Sequence, residues 1–245
     1  MTDAGAVPSS PLTHHARASL PRGRHALSRD VIQLSQRARL LDAIVRSVAE
    51  KGYGAATVAD ALQRARVSRA TFYELFADKE DCFLAAYEAG SRLLRRSVLE
   101  AIDLAGDDWL LRMRAGVRAY LRVLSDEPAY GVAFLVEVQA AGPRAAERRA
   151  EWNGRYAELI RETYGSAQAQ IDGLPDLPGD VFLATVAAEN EMVRSRLAGD
   201  ASAGLMTLEP LMMYVELSMF GLHEHARAAL AEAREGREGR RRRRT

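Results

Sequence analysis

TVADALQRARVSRATFYELFADKE, residues 57–80, holds three helix starts in quick succession. Thr57 stands three residues before Asp60, the spacing at which a hydroxyl and a carboxylate cap each other's backbone amides. Val58, Ala61, Leu62 and Ala65 then supply one short apolar face. Ser68 can cap a second helix in which Phe72, Leu75 and Phe76 fall on one side and Ala70, Tyr73 and Glu74 on the other. Asp78 opens a third, with Glu80 and Asp81 complementing its dipole. Two short helices joined by a tight turn, the second with a polar outer face, meet the requirements of a helix-turn-helix.

Upstream, Leu34, Leu41, Ile44, Val45 and Val48 recur at helical spacing from Val31 to Lys51, and Gly52 follows as a stop. Downstream, the periodicity predicts helices at about 79–103, 108–126, 128–140, 143–164, 178–197 and 207–233. Pro128, Pro143 and Pro178 stand where a first helical turn tolerates proline, and Asp107, Ser125 and Thr207 are expected caps. GSAQAQIDGLPDLPGD, residues 165–180, reads as the one long loop. No stretch alternates as a strand does, so the expected fold is all-α.

The same residues resemble the amino-terminal domain of TetR family transcriptional regulators. In that family an alanine-rich first helix and a glycine-aromatic turn lead to V-S-[RK]-x-T-[FL]-Y-x-x-F-x-x-K-[ED], and this chain has VSRATFYELFADKE at 67–80. The likeness is specific over about residues 36–96 and extends loosely, by length and helix count, over the rest. It implies a ligand-responsive repressor that binds a palindromic DNA operator as a homodimer and is released by a small-molecule effector. On this reading the chain divides into a disordered basic arm (1–30), a helix-turn-helix domain (31–84), an effector-binding and dimerisation domain (85–233) and an Arg-rich tail (234–245).

A helix in the major groove presents its first turn and one face to base edges and phosphates, which selects Ser68, Arg69, Ala70, Thr71 and Tyr73. Arg69 suits a phosphate or a guanine edge, Thr71 a thymine methyl or a phosphate, and Tyr73 a phosphate, while Ala70 permits close approach. Thr57 and Lys79 are placed like the family's backbone clamps. Three positions depart from the family pattern: Arg66 stands where glycine is usual, Glu74 where an aromatic or basic residue is frequent, and Leu75 where histidine is frequent. Arg66 must accept strained backbone or a reshaped turn. Glu74 is repelled by phosphates unless it accepts from a cytosine amino group or pairs with Arg66 or Arg69.

The net charge is +1, so any polyanion contact has to come from local placement. LPRGRHALSR, residues 20–29, is one such concentration. Its Arg22-Gly-Arg24 centre resembles an AT-hook, suited to a narrow minor groove, though a tail adding only non-specific affinity fits as well. The start lacks the apolar stretch of a secretory signal and no run is long enough to span a bilayer, so a cytoplasmic, nucleoid-associated chain with no membrane partner is expected.

The last two helices carry apolar residues on more than one side. Phe182, Val186 and Val193 share a face, as do Leu208, Leu211, Met212, Val215, Met219 and Leu222, with Met213 and Phe220 off it; a dimeric four-helix bundle would cover them. Such a dimer would set two recognition helices about 34–36 Å, or a multiple of one DNA turn, apart. For an effector pocket the middle helices offer Trp109, Met113, Tyr120, Tyr130, Phe134, Glu137, Trp152, Tyr156 and Glu189, most of which would serve equally as core. Glu137 stands out because it interrupts VAFLVEV: a carboxylate inside an apolar helix needs a partner or a cavity.

Catalytic chemistry has little to work with. The five histidines lie at 14, 15, 25, 223 and 225, and the last two, two apart, leave one helix in different directions. GYG at 52–54 follows a helix rather than a strand, which rejects a dinucleotide fingerprint. Cys82 alone excludes an internal disulfide. No enzyme, cofactor or metal is expected; the alternatives are a helical interaction protein without DNA affinity and an α-helical enzyme with an unrecognised cofactor.

Overall fold

The computed structural model describes residues 29–199 and 204–231, and every regular element among them is helical. The fold is all-α, with an amino-terminal helical head and a larger carboxy-terminal helical region. Two compact units divide it: residues 29–93 with Asp126–Ala145, and Leu94–Ser125 with the described residues from Ala146 on. The first unit therefore extends past residue 84 and takes in a segment from the middle of the chain.

In the first unit, α1 (Arg29–Lys51) buries Leu40, Ala43, Ile44, Val45 and Val48 and packs on α2 (Val58–Ala65). Leu34, expected on that apolar stripe, is instead 68% exposed. Gly52, at φ +79°, ends the helix and donates its N–H to the Val48 carbonyl at 2.9 Å. The capping box at α2 is complete: Asp60 N–H donates to Thr57 Oγ1 at 3.2 Å, and Thr57 N–H donates to Asp60 Oδ2 at 2.9 Å. Arg66 closes α2 in the left-handed region, at φ 52° and ψ 49°. It is the one non-glycine residue with positive φ among the described residues, a conformation that costs about 1–2 kcal/mol for a residue with a Cβ. Arg39 of α1 donates to the Ala65 carbonyl at 2.9 Å and so satisfies a group the helix end leaves open.

Helix α3 (Arg69–Leu75) begins at Ser68, whose Oγ accepts from Thr71 N–H at 3.1 Å, and buries Phe72. Helix α4 (Lys79–Leu104) begins with a pair of side-chain caps: Asp81 N–H donates to Asp78 Oδ1 at 2.8 Å, and Ala77 N–H donates to Asp81 Oδ2 at 3.1 Å. Cys82 is buried in its first turns, where desolvation pushes the thiol up to about 12 and leaves it an inert filler.

The single helix expected at 128–140 is broken into three pieces: α6 (Pro128–Gly131), a π-helical turn (Val132–Val136) and a 3₁₀ turn (Glu137–Ala141). A wide turn followed by a tight one changes the register of the side chains. Phe134 lies so close over Gly90 that a Cβ there would meet its ring at 2.4 Å, and it packs edge-on against Tyr87 and Tyr130 at 5.0 and 5.4 Å.

In the second unit, α5 (Trp109–Asp126) is capped by Asp108, which accepts from Leu111 N–H at 2.9 Å. Asp107, the expected cap, instead offers its carbonyl to Gln170 Nε2 at 2.7 Å. Ser125 is not a cap either, since α5 runs through it. Helix α7 (Pro143–Gln168) outlasts its expected end at 164, because the loop folds back on it: Tyr164 Oη and Gln168 Nε2 both donate to the Pro175 carbonyl, at 2.8 and 3.1 Å. The residues expected as loop from 165 are therefore helical to 168.

Helix α8 (Gly179–Ala198) is followed by a 3₁₀ turn (Leu205–Leu208), α9 (Glu209–Met219) and α10 (residues 223–231). Gly221, at φ +79°, breaks what the sequence pattern predicts as one helix from 207. Thr207 lies in the 3₁₀ turn, where its hydroxyl donates to the Gly204 carbonyl at 2.8 Å rather than capping α9. Phe182, Val186, Val193, Met212 and Met213 are buried within the chain itself. Of the apolar set expected at a dimer surface, Leu211 stays 43% exposed, joined by Leu183 at 43%, while Val215 and Met219 are half-buried.

Candidate nucleic-acid interface and effector cavity

Burial of Phe72 and Phe76 fixes which way α3 faces, and their rings pack at 5.6 Å. Ser68, Arg69, Ala70, Tyr73 and Glu74 consequently lie exposed on one side, with Thr71 half-buried at its edge. Tyr73 is 52% exposed and braced edge-on against Phe72 at 5.3 Å. The Thr71 hydroxyl shares a hydrogen bond of 2.9 Å with Ser68 Oγ, which ties it into the cap. A rigid platform with a large, half-free aromatic, an arginine and a small residue in its first turns is suited to a DNA groove.

The supports of that platform are polar and paired. Lys51 Nζ meets Asp60 Oδ1 at 2.6 Å, and Arg64 pairs with Glu50. Hydrogen bonds from Lys51 and from Thr57 hold the Asp60 carboxyl down at about 2, so the capping box stays ionised through the physiological range. Lys79 departs from a free phosphate clamp: its ammonium donates to the carbonyls of Tyr53 and Ala56 at 2.8 and 3.0 Å and sits 4.2 Å from the Tyr53 ring centre. It fastens the 53–56 turn to the start of α4. The aromatic motif pointed to Lys79 but gave no sign of this internal role. Arg37, over the Phe76 ring at 5.5 Å, and Arg39 also escaped sequence reasoning, since helical surface arginines carry no signal of their own. Arg22 and Arg24 lie outside the described residues.

Glu137 does not reach the pocket expected of it. In the first unit its Oε2 accepts the Tyr53 N–H at 2.7 Å and lies 3.3 Å from where a Cβ on Gly52 would stand, so this carboxylate locks the glycine-aromatic turn. Phe134 is part of the same unit's aromatic core, and so is Tyr130.

The cavity lies in the second unit, with about 70 Å³ open to the centre of a water molecule. Its wall is mainly apolar: Val98 and Ile102 from α4, Met113, Gly116 and Val117 from α5, Leu159 and Ile160 from α7, and Val186 from α8. Gly116 lets α4 approach, since a Cβ there would stand 3.3 Å from Ile102 Cδ1. Four expected residues line it: Met113, Tyr120, Tyr156 and Glu189. Trp109 does not; it is buried against His225, ring centres 5.1 Å apart, and Trp152 packs beside Tyr156 at 6.0 Å without reaching the cavity. Tyr120 Oη donates to Asn190 Oδ1 at 2.8 Å, and Asn190 Nδ2 to Asn153 Oδ1 at 3.2 Å, forming a satisfied polar strip on one side.

Sequence reasoning missed Glu216, which shares the cavity with Glu189. Its signal was available: it interrupts MMYVELSM in α9 just as Glu137 interrupts VAFLVEV. Burial raises the pKa of both cavity carboxyls, and the charge of Glu189 raises that of Glu216 further. Among the described residues no cluster of three or more His, Cys, Asp or Glu side chains is arranged to hold a metal ion, and no helix is long and apolar enough to cross a membrane.

The first unit thus holds a capped helix-turn-helix, and the second an apolar cavity with two acids in its wall. Residues 40–86 match the family described as bacterial regulatory proteins, tetR family. Over 170 residues the chain is 29% identical to the transcriptional regulator AcuR of Cereibacter sphaeroides, covering 64% of this chain and 75% of that one. Its fold is similar to that of the fatty acid degradation regulator FadR from Bacillus halodurans, with a TM-score of 0.66 at 19% identity, over 75% of this chain and 98% of that one. FadR from Bacillus subtilis, solved in complex with stearoyl-CoA, gives 0.65 at 17% identity, over 75% and 97%. The family match covers residues 40–86, within the amino-terminal head, and the likeness to the solved structures shows a shared helical fold.

Proposed function

We propose that the chain is a homodimeric repressor whose α3 reads a palindromic operator and which a small molecule in the second unit's cavity releases. Residues 31–84 serve as the DNA-binding head and 85–233 as the effector and dimerisation region. The observation that carries this reading is the exposed face of α3, with Arg69, Ala70, Tyr73 and Glu74 free on a helix whose opposite side is locked by Phe72. Arg69 and Tyr73 supply base-edge and phosphate contacts, Thr71 presents its methyl, and Ser68 and Thr57 set register through exposed helix starts. Lys79 acts on DNA mainly by holding the turn that positions them.

Pairing through α8 and α9 is supported by Leu183 and Leu211, large apolar side chains exposed on those two helices after the chain's own core is complete. A dimer places two α3 helices on one face of DNA and requires a two-fold symmetric site. A footprint of the DNA upstream of the gene tests the reading: two protected half-sites related by a dyad are expected, with light scattering giving a dimer that Leu183→Asp with Leu211→Asp converts to monomer. Scattered, sequence-independent protection, or a clean monomer at micromolar concentration, overturns it.

A further inference from the structure

Glu189 and Glu216 present a chemical problem that the rest of the cavity does not solve. Glu189 Oε1 and Glu216 Oε2 are sealed from solvent and have no hydrogen-bond partner, and Glu216 is only 3% exposed as a whole residue. Leaving a buried carboxyl oxygen unmatched is costly, and more so when the group is charged. The cavity they share holds several times the ~10–15 Å³ that one water centre needs, so it has room for a small organic molecule. Its wall contains no lysine, arginine or histidine, and the other titratable groups in it are the phenols of Tyr120 and Tyr156. Arg114 and Arg118 of α5 are engaged with Glu209, at 3.9 and 2.8 Å.

Resting on the effector-cavity reading above, we infer that the ligand is a small organic cation, an aliphatic or aryl-substituted amine, whose ammonium group lies between Glu189 and Glu216. The apolar wall takes its hydrocarbon body. A carboxylate or acyl anion meets two acids and no cation, so the site selects against it. A neutral alcohol or amide can bond to a protonated carboxyl but gains no charge pairing. An ammonium supplies donors to both unmatched oxygens and a charge that a low-dielectric site values highly.

The exchange is balanced by a proton. Without ligand, burial keeps the pair protonated near neutral pH; when the cation enters, a carboxyl ionises and its proton leaves to solvent. Because α8 contributes Glu189 and α9 contributes Glu216, the bound cation ties these two helices together at the level of Val186.

The test uses the full chain and two carbon skeletons, butyl and cyclohexyl, each as amine, alcohol and carboxylate, measured by calorimetry in buffers of different ionisation enthalpy. The amine of at least one skeleton binds, releases a proton, and tightens by up to about tenfold per pH unit between pH 6 and 8. Glu189→Gln with Glu216→Gln, isosteric and uncharged, weakens it at least about tenfold, as expected for loss of a buried ion pair. If an alcohol or carboxylate binds at least as tightly as its amine, and Val117→Phe, which fills the cavity, abolishes that binding, the cavity is an effector site but the cation assignment is wrong. If none of the six binds the parent and Val117→Phe leaves operator affinity unchanged, the cavity reading and the cation assignment fall together.

Discussion

Glu137 and Glu216 each interrupt an apolar helical run, and the chain uses them in opposite ways. Glu137 sits where a π turn gives way to a 3₁₀ turn, and that distortion brings its carboxylate to the Tyr53 N–H at 2.7 Å. Glu216 sits in regular helix, with one oxygen sealed off and unmatched. The first places its charge on a fixed backbone donor and stiffens the turn at Gly52 and Tyr53. The second keeps its hydrogen-bonding capacity in reserve inside a cavity. Where the backbone bends to meet it, a carboxylate finds a fixed donor; where it does not, an oxygen stays unmatched.

Removing each carboxylate should separate the two uses. Glu137→Leu leaves the Tyr53 amide without its acceptor and is expected to destabilise the chain by about 2–3 kcal/mol, seen as a fall in the urea midpoint. The same change at Glu216 should do the reverse above neutral pH. A glutamate in the unfolded chain titrates near about 4.3, whereas burial raises both Glu189 and Glu216 in the folded state. Between those values the folded chain holds more protons, so the parent's stability falls as pH rises from about 4.3 through the folded values. Glu189→Gln with Glu216→Gln is expected to flatten that slope and to exceed the parent by about 1–2 kcal/mol at pH 8, with little difference at pH 5. Denaturation at both pH values checks it; an equal slope in parent and variant removes the contrast.

These two sites also mark how far the sequence could be read. The head was legible because its determinants are local: Thr57, Ser68 and Asp78 each cap within three residues, and Phe72 and Phe76 lie one turn apart. Which glutamate faced a cavity depended on a bend in residues 132–141 and on the packing of five helices, neither of which spacing encodes. Met113, Tyr120, Tyr156 and Glu189 could be named from their positions in the middle helices, while Trp109 and Phe134, equally plausible by composition, were taken by ring packing against His225 and Tyr87. The end of α7 shifted for a similar reason: Pro175 offers a carbonyl that only the folded loop brings to Tyr164.

A smaller effect is expected within the head. Arg66 holds the left-handed turn that glycine would hold without strain, so Arg66→Gly should gain about 0.5 kcal/mol by thermal denaturation. A loss of stability there would mean that the arginine side chain supports the turn by contacts outweighing the strain.

Whether the exposed face of α3 reads DNA is decided by a salt titration of binding to the gene's own upstream DNA. Arg69→Ala with Tyr73→Phe should keep the parent's fold and dimer, lose at least about tenfold in affinity, and lower the salt slope by about 1 for each phosphate contact removed. Equal affinity and equal slope in parent and variant would mean that this face of α3 does not touch DNA.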